Sequence, residues 1–137
     1  MVINRRYVFS AGHLLYSKNL DHDTNIELYQ KCGLHYHGHD YLLEIGISGK
    51  INPHGYIMRF EELDKLVQEH IVSVAHHRSL NELPYFKDTH VPTSENICIW
   101  VWGLLAPLLS KQGVSIAKVA VGETPNNYFE YYGGNKR

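Results

Sequence analysis

Hydrophobic and polar positions alternate in two stretches near the start of the chain and in two near its end. The first pair covers residues 3–13 and about 37–50, and the second covers residues 113–122 and 128–132. Side chains two apart on a β-strand point to the same face of a sheet, so this alternation is typical of strands with one buried face. The pattern predicts four strands.

Between these two pairs of strands, apolar residues recur at helical spacing. One segment starts after Phe60 and should stop near Ala75; its apolar face is Leu63, Leu66, Val67, Ile71 and Val74. A second segment opens at Thr93, a natural N-cap, and its apolar stripe is Ile97, Trp100, Val101, Leu104, Leu105 and Leu108. Pro107 should kink or end this second helix.

The connecting segments give further expectations. Residues 14–31 form a long polar loop, in which Thr24 and Glu27 have capping-box spacing and predict a short helix before Cys32. A turn at residues 52–55 is expected to lead into a hairpin-like return over residues 56–60. The tail, residues 133–137, is expected to fray.

The element order is therefore strand, strand, helix, helix, strand, strand, which predicts an α+β fold. With 137 residues and 44% hydrophobic composition, the chain is long enough for one domain, residues 1–137, with its own core.

Composition narrows the kind of partner. The net charge is −1 with neutral histidines, and no Lys/Arg run exceeds two, so we expect neither a nucleic-acid surface nor a membrane patch, but a small ligand. The first residues lack the apolar region of a signal peptide, and no stretch reaches the roughly 18 apolar residues of a membrane span, which predicts a cytoplasmic protein.

Cys32 and Cys98 are the two cysteines, and we expect both to be reduced in that compartment. Cys98 lies beside the apolar stripe of the second helix and is interpreted as a small core residue. Cys32 lies among histidines and is therefore available for chemistry.

The candidate chemistry centres on the segment from Cys32 to Tyr41. His37 and His39 are two apart on a predicted strand, with Gly38 between them, so both imidazoles should share one face. His13, at the end of the first strand, is the third candidate ligand. Three neutral imidazoles with one vacant position are typical of catalytic zinc, whereas structural zinc usually takes four protein ligands.

Other assignments stay open at this point. Cys32 could be a fourth ligand that closes the metal site, and His35 is an alternative ligand. Cys32 near His77, in the irregular polar segment 76–84, would give a thiolate that acts as nucleophile or base.

The roles of two carboxylates also stay open. Glu95 could be no more than a charge in the first turn of a helix, and Glu123 a solvated residue of a hairpin.

At these residues the chain resembles the 6-pyruvoyl-tetrahydropterin synthase and 6-carboxy-tetrahydropterin synthase family. The resemblance covers nearly the whole chain and rests on short motifs in a fixed order. These motifs are Phe9-Ser10-Ala11-Gly12-His13, Tyr16-Ser17-Lys18, Lys31-Cys32, His37-Gly38-His39, Asn52-Pro53, Leu80-Asn81, Pro92-Thr93-Ser94-Glu95-Asn96 and Glu123-Thr124-Pro125-Asn126-Asn127.

The resemblance implies the tunnelling fold (T-fold): an antiparallel four-stranded sheet with two helices on one face, assembled into barrel-forming trimers and usually hexamers. It implies that zinc is bound by three histidines and that a cysteine is the catalytic base working with a histidine. The zinc ligands would be His13, His37 and His39, and the base and its partner Cys32 and His77.

The substrate implied by the resemblance is 7,8-dihydroneopterin triphosphate. Glu123 would anchor its pterin ring, helped by Thr93 and Glu95. Elimination of triphosphate with internal redox would give the pyruvoyl product, and cleavage of the side chain would give the carboxy product.

The chain departs from the family pattern at two places. Four residues separate Cys32 from His37, where family members have three or five. The family's Asp-His pair falls on His76 and His77, so its aspartate is missing. Slow turnover of 7,8-dihydroneopterin triphosphate is expected unless another carboxylate takes the role of this aspartate, with Glu82 the nearest in sequence. Restoring the aspartate by His76→Asp should raise kcat by at least about tenfold.

Two rival hypotheses come from other classes. His37 and His39 followed by Glu44 mimic the first metal motif of a cupin, but two amphipathic helices and the lack of a second downstream histidine motif disfavour that fold. A non-catalytic module with structural zinc is the other alternative, and catalytic turnover by the metal-loaded protein would distinguish it from an enzyme.

Overall fold

The computed structural model describes residues 1–134, which form a five-stranded mixed sheet with helices packed against one face. The expected α+β class is confirmed. The strands are β1 (Ile3–His13), β2 (His37–Ser48), β3 (Arg78–Ser79), β4 (Ser115–Thr124) and β5 (Asn127–Tyr131). Their order across the sheet is β3-β1-β2-β4-β5.

The helices lie in the connections between strands. They are α1 (His22–Tyr29), α2 (Lys31–Leu34), α3 (Phe60–Val67), a π-helical segment (Gln68–Val72), α4 (Ser73–Ala75), a 3₁₀ turn (Leu80–Glu82), α5 (Pro84–Lys87) and α6 (Ser94–Ser110). None of the helices in residues 1–134 combines the length and apolarity needed to cross a membrane. The fraying predicted for the tail falls partly on residues 135–137, outside the described residues.

Antiparallel pairing of β1 with β2 forms the centre of the sheet. The register runs from Ile3 opposite Ile47 to His13 opposite His37 without a shift. Odd-numbered side chains of both strands face the helices, and those in the middle of the sheet, such as Phe9 and Leu43, are fully buried. Even-numbered side chains of β1 lie on the opposite, open face, where Val8 is 62% exposed. The alternation seen in the sequence therefore follows the two faces of the sheet.

The sheet contains one strand more than predicted. β3 is only two residues long and pairs in parallel with β1, Ala11 opposite Arg78 and Gly12 opposite Ser79. A pair so short leaves no alternating pattern in the sequence. The other four strands form the predicted antiparallel arrangement.

The hairpin-like return predicted over residues 56–60 is wrong. The segment contains turns, and Phe60 already begins α3. Asn52 closes the preceding turn, because its side-chain oxygen accepts from the backbone N–H of His54 at 2.9 Å. Acidic residues in the first turn of α3 then favour helix over strand.

Two predictions about helix boundaries fail and two hold. Asp21, not Thr24, caps α1, since its side chain accepts from the backbone N–H of Thr24 at 2.8 Å. Pro107 does not end the second helix, because it lies inside α6, which continues to Ser110. Thr93 caps α6 and α4 ends at Ala75, both as predicted.

The π-helical segment changes which residues of the preceding helix are buried. Leu63, Val67 and Ile71 are fully buried as predicted, but Val74 is 36% exposed and Ala75 takes the buried position. A π-helical turn adds a residue to the helical repeat, so the apolar face shifts by one position after it.

This shift predicts different effects for two identical substitutions. Val67→Ala removes buried carbon atoms and leaves a cavity, and should lower the free energy of unfolding by about 2 kcal/mol. Val74→Ala removes the same atoms from a partly exposed site and should change it by less than about 0.5 kcal/mol. Urea denaturation of both variants tests the register; equal losses would contradict it.

Candidate functional site

Three histidines meet at one end of the sheet. His13 is the last residue of β1, and His37 and His39 are the first and third residues of β2. The register pairs His13 with His37 directly, and all three side chains point to the helix-covered face. One nitrogen from each ring can be chosen so that the three atoms lie within 4.8 Å of one another.

Backbone carbonyls fix the orientation of two of these rings. Nδ1 of His13 donates to the carbonyl oxygen of Pro92 at 2.8 Å, and Nδ1 of His37 donates to that of His35 at 2.8 Å. A neutral ring that donates from Nδ1 carries a lone pair on Nε2. The Nε2 atoms of His13 and His37 lie 3.0 Å apart, so their lone pairs face each other.

In the described part of the chain, the third ring has no hydrogen-bond partner for its inner nitrogen. Nε2 of His39 is buried and makes no hydrogen bond within the described chain. A buried, unsatisfied polar atom usually indicates a missing water or ion. Together with the facing lone pairs of His13 and His37, it indicates a position that a cation would fill.

A carboxylate borders the same position. Oε1 of Glu123, near the end of β4, lies 3.4 Å from Nε2 of His13 and 3.4 Å from Nε2 of His39. Glu123 is therefore not the solvated hairpin residue that its sequence position alone suggests.

Burial favours the neutral form of two of the imidazoles, those of His13 and His39. It lowers the pKa of His13 to about 4, despite the hydrogen bond to the carbonyl of Pro92. Burial also lowers the pKa of His39, although the charge of Glu123 opposes this shift. Neutral imidazole is the form that binds metal ions. The donor set of His13, His37 and His39 therefore fits a transition-metal ion such as zinc.

Two neighbours of His13 support its position. The hydroxyl oxygen of Tyr41 lies 3.2 Å from Nδ1 of His13 and is buried with it. The place of Tyr41 beside the histidines could be predicted from the sequence, since it shares the period-2 face of His37 and His39. The contact of Pro92 with His13 could not be predicted, because the two residues are 79 positions apart along the chain.

The structure places the other two candidate ligands outside this group. Among residues 1–134, the set of His, Cys, Asp and Glu side chains close enough to hold one ion consists of His13, His37 and His39. Cys32 lies in α2 with a half-buried side chain, and its carbonyl oxygen accepts from the backbone N–H of Leu15 at 3.0 Å. His35 contributes its carbonyl oxygen to the site instead of its ring.

His76 and His77 lie after α4, and their side chains are exposed. Their rings stack with centroids 3.7 Å apart. His77 has a backbone φ of +58°, an uncommon conformation for a residue other than glycine, and such strain often accompanies function. The described chain contains no hydrogen bond between His77 and Cys32. The pairing of these two residues therefore stays a prediction.

The start of α6 lies beside the histidine cluster. Thr93 directly follows Pro92, and its side-chain oxygen accepts from the backbone N–H of Asn96 at 3.3 Å. Glu95 is exposed in the first helical turn. Both residues therefore have structural roles at the helix terminus and remain close in sequence to the carbonyl that holds His13.

Comparisons with known proteins show the family to which this chain belongs. The profile of the family described as "6-pyruvoyl tetrahydropterin synthase" matches residues 2–134. A protein named 6-pyruvoyl tetrahydrobiopterin synthase from Homo sapiens is 39% identical over 134 residues, which cover 96% of this chain and 90% of the human protein. A putative 6-carboxy-5,6,7,8-tetrahydropterin synthase from Archaeoglobus fulgidus is 33% identical, covering 95% of this chain and 94% of its own.

Among solved structures, the 6-pyruvoyl tetrahydropterin synthase of Caenorhabditis elegans superposes with a TM-score of 0.90 at 32% identity, covering 98% of this chain and 96% of that one. The fold and the histidine cluster thus define a pterin-synthase class of protein with the T-fold. The chain belongs to the 6-pyruvoyl tetrahydropterin synthase family.

The cluster predicts metal binding that depends on each ring. Protein purified in the presence of zinc should carry about one ion per chain, and His37→Ala should lose most of it because two imidazoles remain. Elemental analysis after dialysis measures this. His54→Ala is the control, since His54 stacks on Tyr56 in an exposed turn. Full occupancy in His37→Ala would remove His37 from the site.

Proposed function

We propose that this protein is a zinc-dependent carbon-oxygen lyase that converts 7,8-dihydroneopterin triphosphate to 6-pyruvoyl-tetrahydropterin with elimination of triphosphate. The observation that carries the proposal is the cluster of three inward-facing imidazole nitrogens beside the carboxylate of Glu123. The human and Caenorhabditis elegans relatives, named for this activity, support it.

His13, His37 and His39 would hold the zinc ion, and their number leaves one coordination position for substrate. When bound, zinc supplies Lewis acidity to the side-chain hydroxyls of the substrate, which makes a neighbouring carbon-bound proton easier to remove. The carbonyls of Pro92 and His35 keep the rings of His13 and His37 in the tautomer that this role requires.

Proton removal is assigned to Cys32 with His77 and His76. A thiolate at Cys32 would accept the proton from the substrate carbon and pass it to His77. Because no hydrogen bond joins Cys32 and His77 in the described chain, we propose that the relay is completed in a homo-oligomer, a hexamer built as a dimer of trimers. His77 of one copy would then approach Cys32 of another.

Substrate recognition is assigned to Thr93, Glu95 and Glu123. A carboxylate can accept two hydrogen bonds from the amide and amino edge of a pterin ring, a geometry that a carboxamide cannot fully reproduce. Glu123 is mostly buried next to the metal ligands, so its carboxylate would meet substrate and ion together. We place the reaction in the cytoplasm, with no nucleic acid or membrane as partner.

The second candidate is a 6-carboxy-5,6,7,8-tetrahydropterin synthase, as in queuosine and deazapurine biosynthesis. The relative in Archaeoglobus fulgidus carries that name and aligns over 95% of this chain. The two reactions share the substrate and differ in whether the side chain is retained.

Incubation of zinc-loaded protein with 7,8-dihydroneopterin triphosphate tests the activity and separates the two products. We expect triphosphate release and the mass of 6-pyruvoyl-tetrahydropterin. The mass of the carboxy compound would establish the second candidate instead. Protein that carries full zinc and forms neither product would contradict the proposed function and favour a non-catalytic zinc module.

Glu123→Gln tests recognition of the pterin ring. Loss of a buried paired hydrogen bond costs on the order of 1–3 kcal/mol, so pterin affinity should fall roughly ten- to a hundredfold. Calorimetry on metal-free protein separates this effect from any change in metal binding, because Glu123 also borders the histidines. Unchanged affinity in the metal-free variant would exclude Glu123 as the pterin anchor; Glu82→Gln is the control.

A further inference from the structure

His76 occupies the position of the family aspartate, and its ring is engaged elsewhere. Nδ1 of His76 accepts a hydrogen bond of 3.0 Å from the backbone N–H of Ser10. The ring also stacks on His77, with planes 27° from parallel, and stacked rings form no in-plane hydrogen bond with each other. His76 therefore does not orient His77 or balance its charge as an adjacent carboxylate would.

Ser10 connects these histidines to a carboxylate on the neighbouring strand. Its carbonyl oxygen accepts from the backbone N–H of His77 at 2.6 Å. Its hydroxyl donates a short hydrogen bond to Oδ1 of Asp40, the residue opposite Ser10 in the register. Ser10 thus contacts both histidines through its backbone and Asp40 through its side chain.

Asp40 and His77 line the same groove at the end of the sheet where β1 ends and β2 begins. The groove has a volume of about 510 Å³, and among the described residues Asp40 is the one carboxylate that lines it. The other charged or titratable residues that line the groove are Tyr36, His37, His39, His77 and Arg78. Glu82, the carboxylate nearest in sequence, lines a different cavity, beside Lys18 and Asp88.

We propose that Asp40 is a positioning residue for the reaction and replaces the aspartate that is missing at position 76. Its carboxylate, held by Ser10, stabilises the imidazolium that forms when His77 takes the proton from the thiol of Cys32. Asp40 takes up no proton in this step. β2 and β3 are two strand spacings apart, about 10 Å, so the effect is electrostatic and acts across β1. This inference rests on the proposed function.

Asp40→Asn tests the proposal in steady-state kinetics of the zinc-loaded protein with 7,8-dihydroneopterin triphosphate. We expect kcat to fall about two- to tenfold, the range that a charge at about 10 Å can supply, with KM changed less than about twofold, because the charge acts during proton transfer and not on substrate binding. The matched control is Asp88→Asn. Asp88 is ion-paired with Lys18 at 2.8 Å outside the groove, so kcat should not change.

The second part of the experiment places a carboxylate at position 76. In the Asp40→Asn background, His76→Asp should restore kcat to at least the original value, because a charge beside His77 replaces the one removed. In the unaltered chain, His76→Asp should raise kcat less than about twofold, since Asp40 already fills the role.

Several outcomes would overturn the proposal. One is an Asp40→Asn variant that keeps the original kcat. Another is a gain of about tenfold in kcat from His76→Asp alone, which would show that no other residue replaces the missing aspartate. Zinc content and circular dichroism are measured in parallel. If Asp40→Asn loses zinc or does not fold, the effect of His76→Asp on the kcat of the otherwise unaltered chain decides between the two cases. Absence of product from the unaltered, zinc-loaded protein would overturn the proposed function together with this inference, whereas turnover unaffected by Asp40→Asn would overturn this inference alone.

Discussion

The antiparallel register between β1 and β2 is the constraint on which the site depends. It is unbroken over the whole of β1 and ends with His13 opposite His37. A slip of one residue would turn every buried side chain of β1 to the open face, and His13 with them. The burial of Phe9 and Leu43 against the helices disfavours such a slip. The same hydrophobic pattern that forms the core therefore also assembles the three imidazoles.

The histidine cluster is polar but lies at the edge of this core, and hydrogen bonds to carbonyl oxygens hold only part of its ring nitrogens. The outer nitrogens of His13 and His37 donate to carbonyls, and the inner nitrogens of these two rings face one another. Within residues 1–134 the inner nitrogen of His39 has no hydrogen-bond partner. An unsatisfied buried nitrogen costs about 1–3 kcal/mol. A bound ion would remove that cost, so metal binding and folding should stabilise each other.

Much of the fold could be predicted because the deciding interactions are local or periodic. The bounds of β1, the start of β2 at His37 and the cap at Thr93 follow from alternation and capping chemistry, and the structure confirms them. β3 and the carbonyl of Pro92 escaped prediction because their contacts join residues far apart in sequence. The exposure of Val74 could not be predicted from the helical period because the π-helical segment interrupts that period.

The site was only partly predictable for the same reason. His37 and His39 show their shared face by spacing, and the structure brings His13 to them. The proximity of Glu123 to the cluster and the link from Ser10 to Asp40 depend on pairing between strands. The roles of Cys32, His77, Thr93 and Glu95 stay predictions, since they concern substrate and a second copy of the chain.

X-ray absorption at the zinc edge of the loaded protein tests the central claim, an open site of three imidazoles, most directly. The account predicts three imidazole nitrogens at about 2.0–2.1 Å, oxygen in the remaining position and no sulfur. A sulfur neighbour at about 2.3 Å would mean that Cys32 closes the site, and fewer than three imidazoles would mean that the cluster of His13, His37 and His39 is not the metal site.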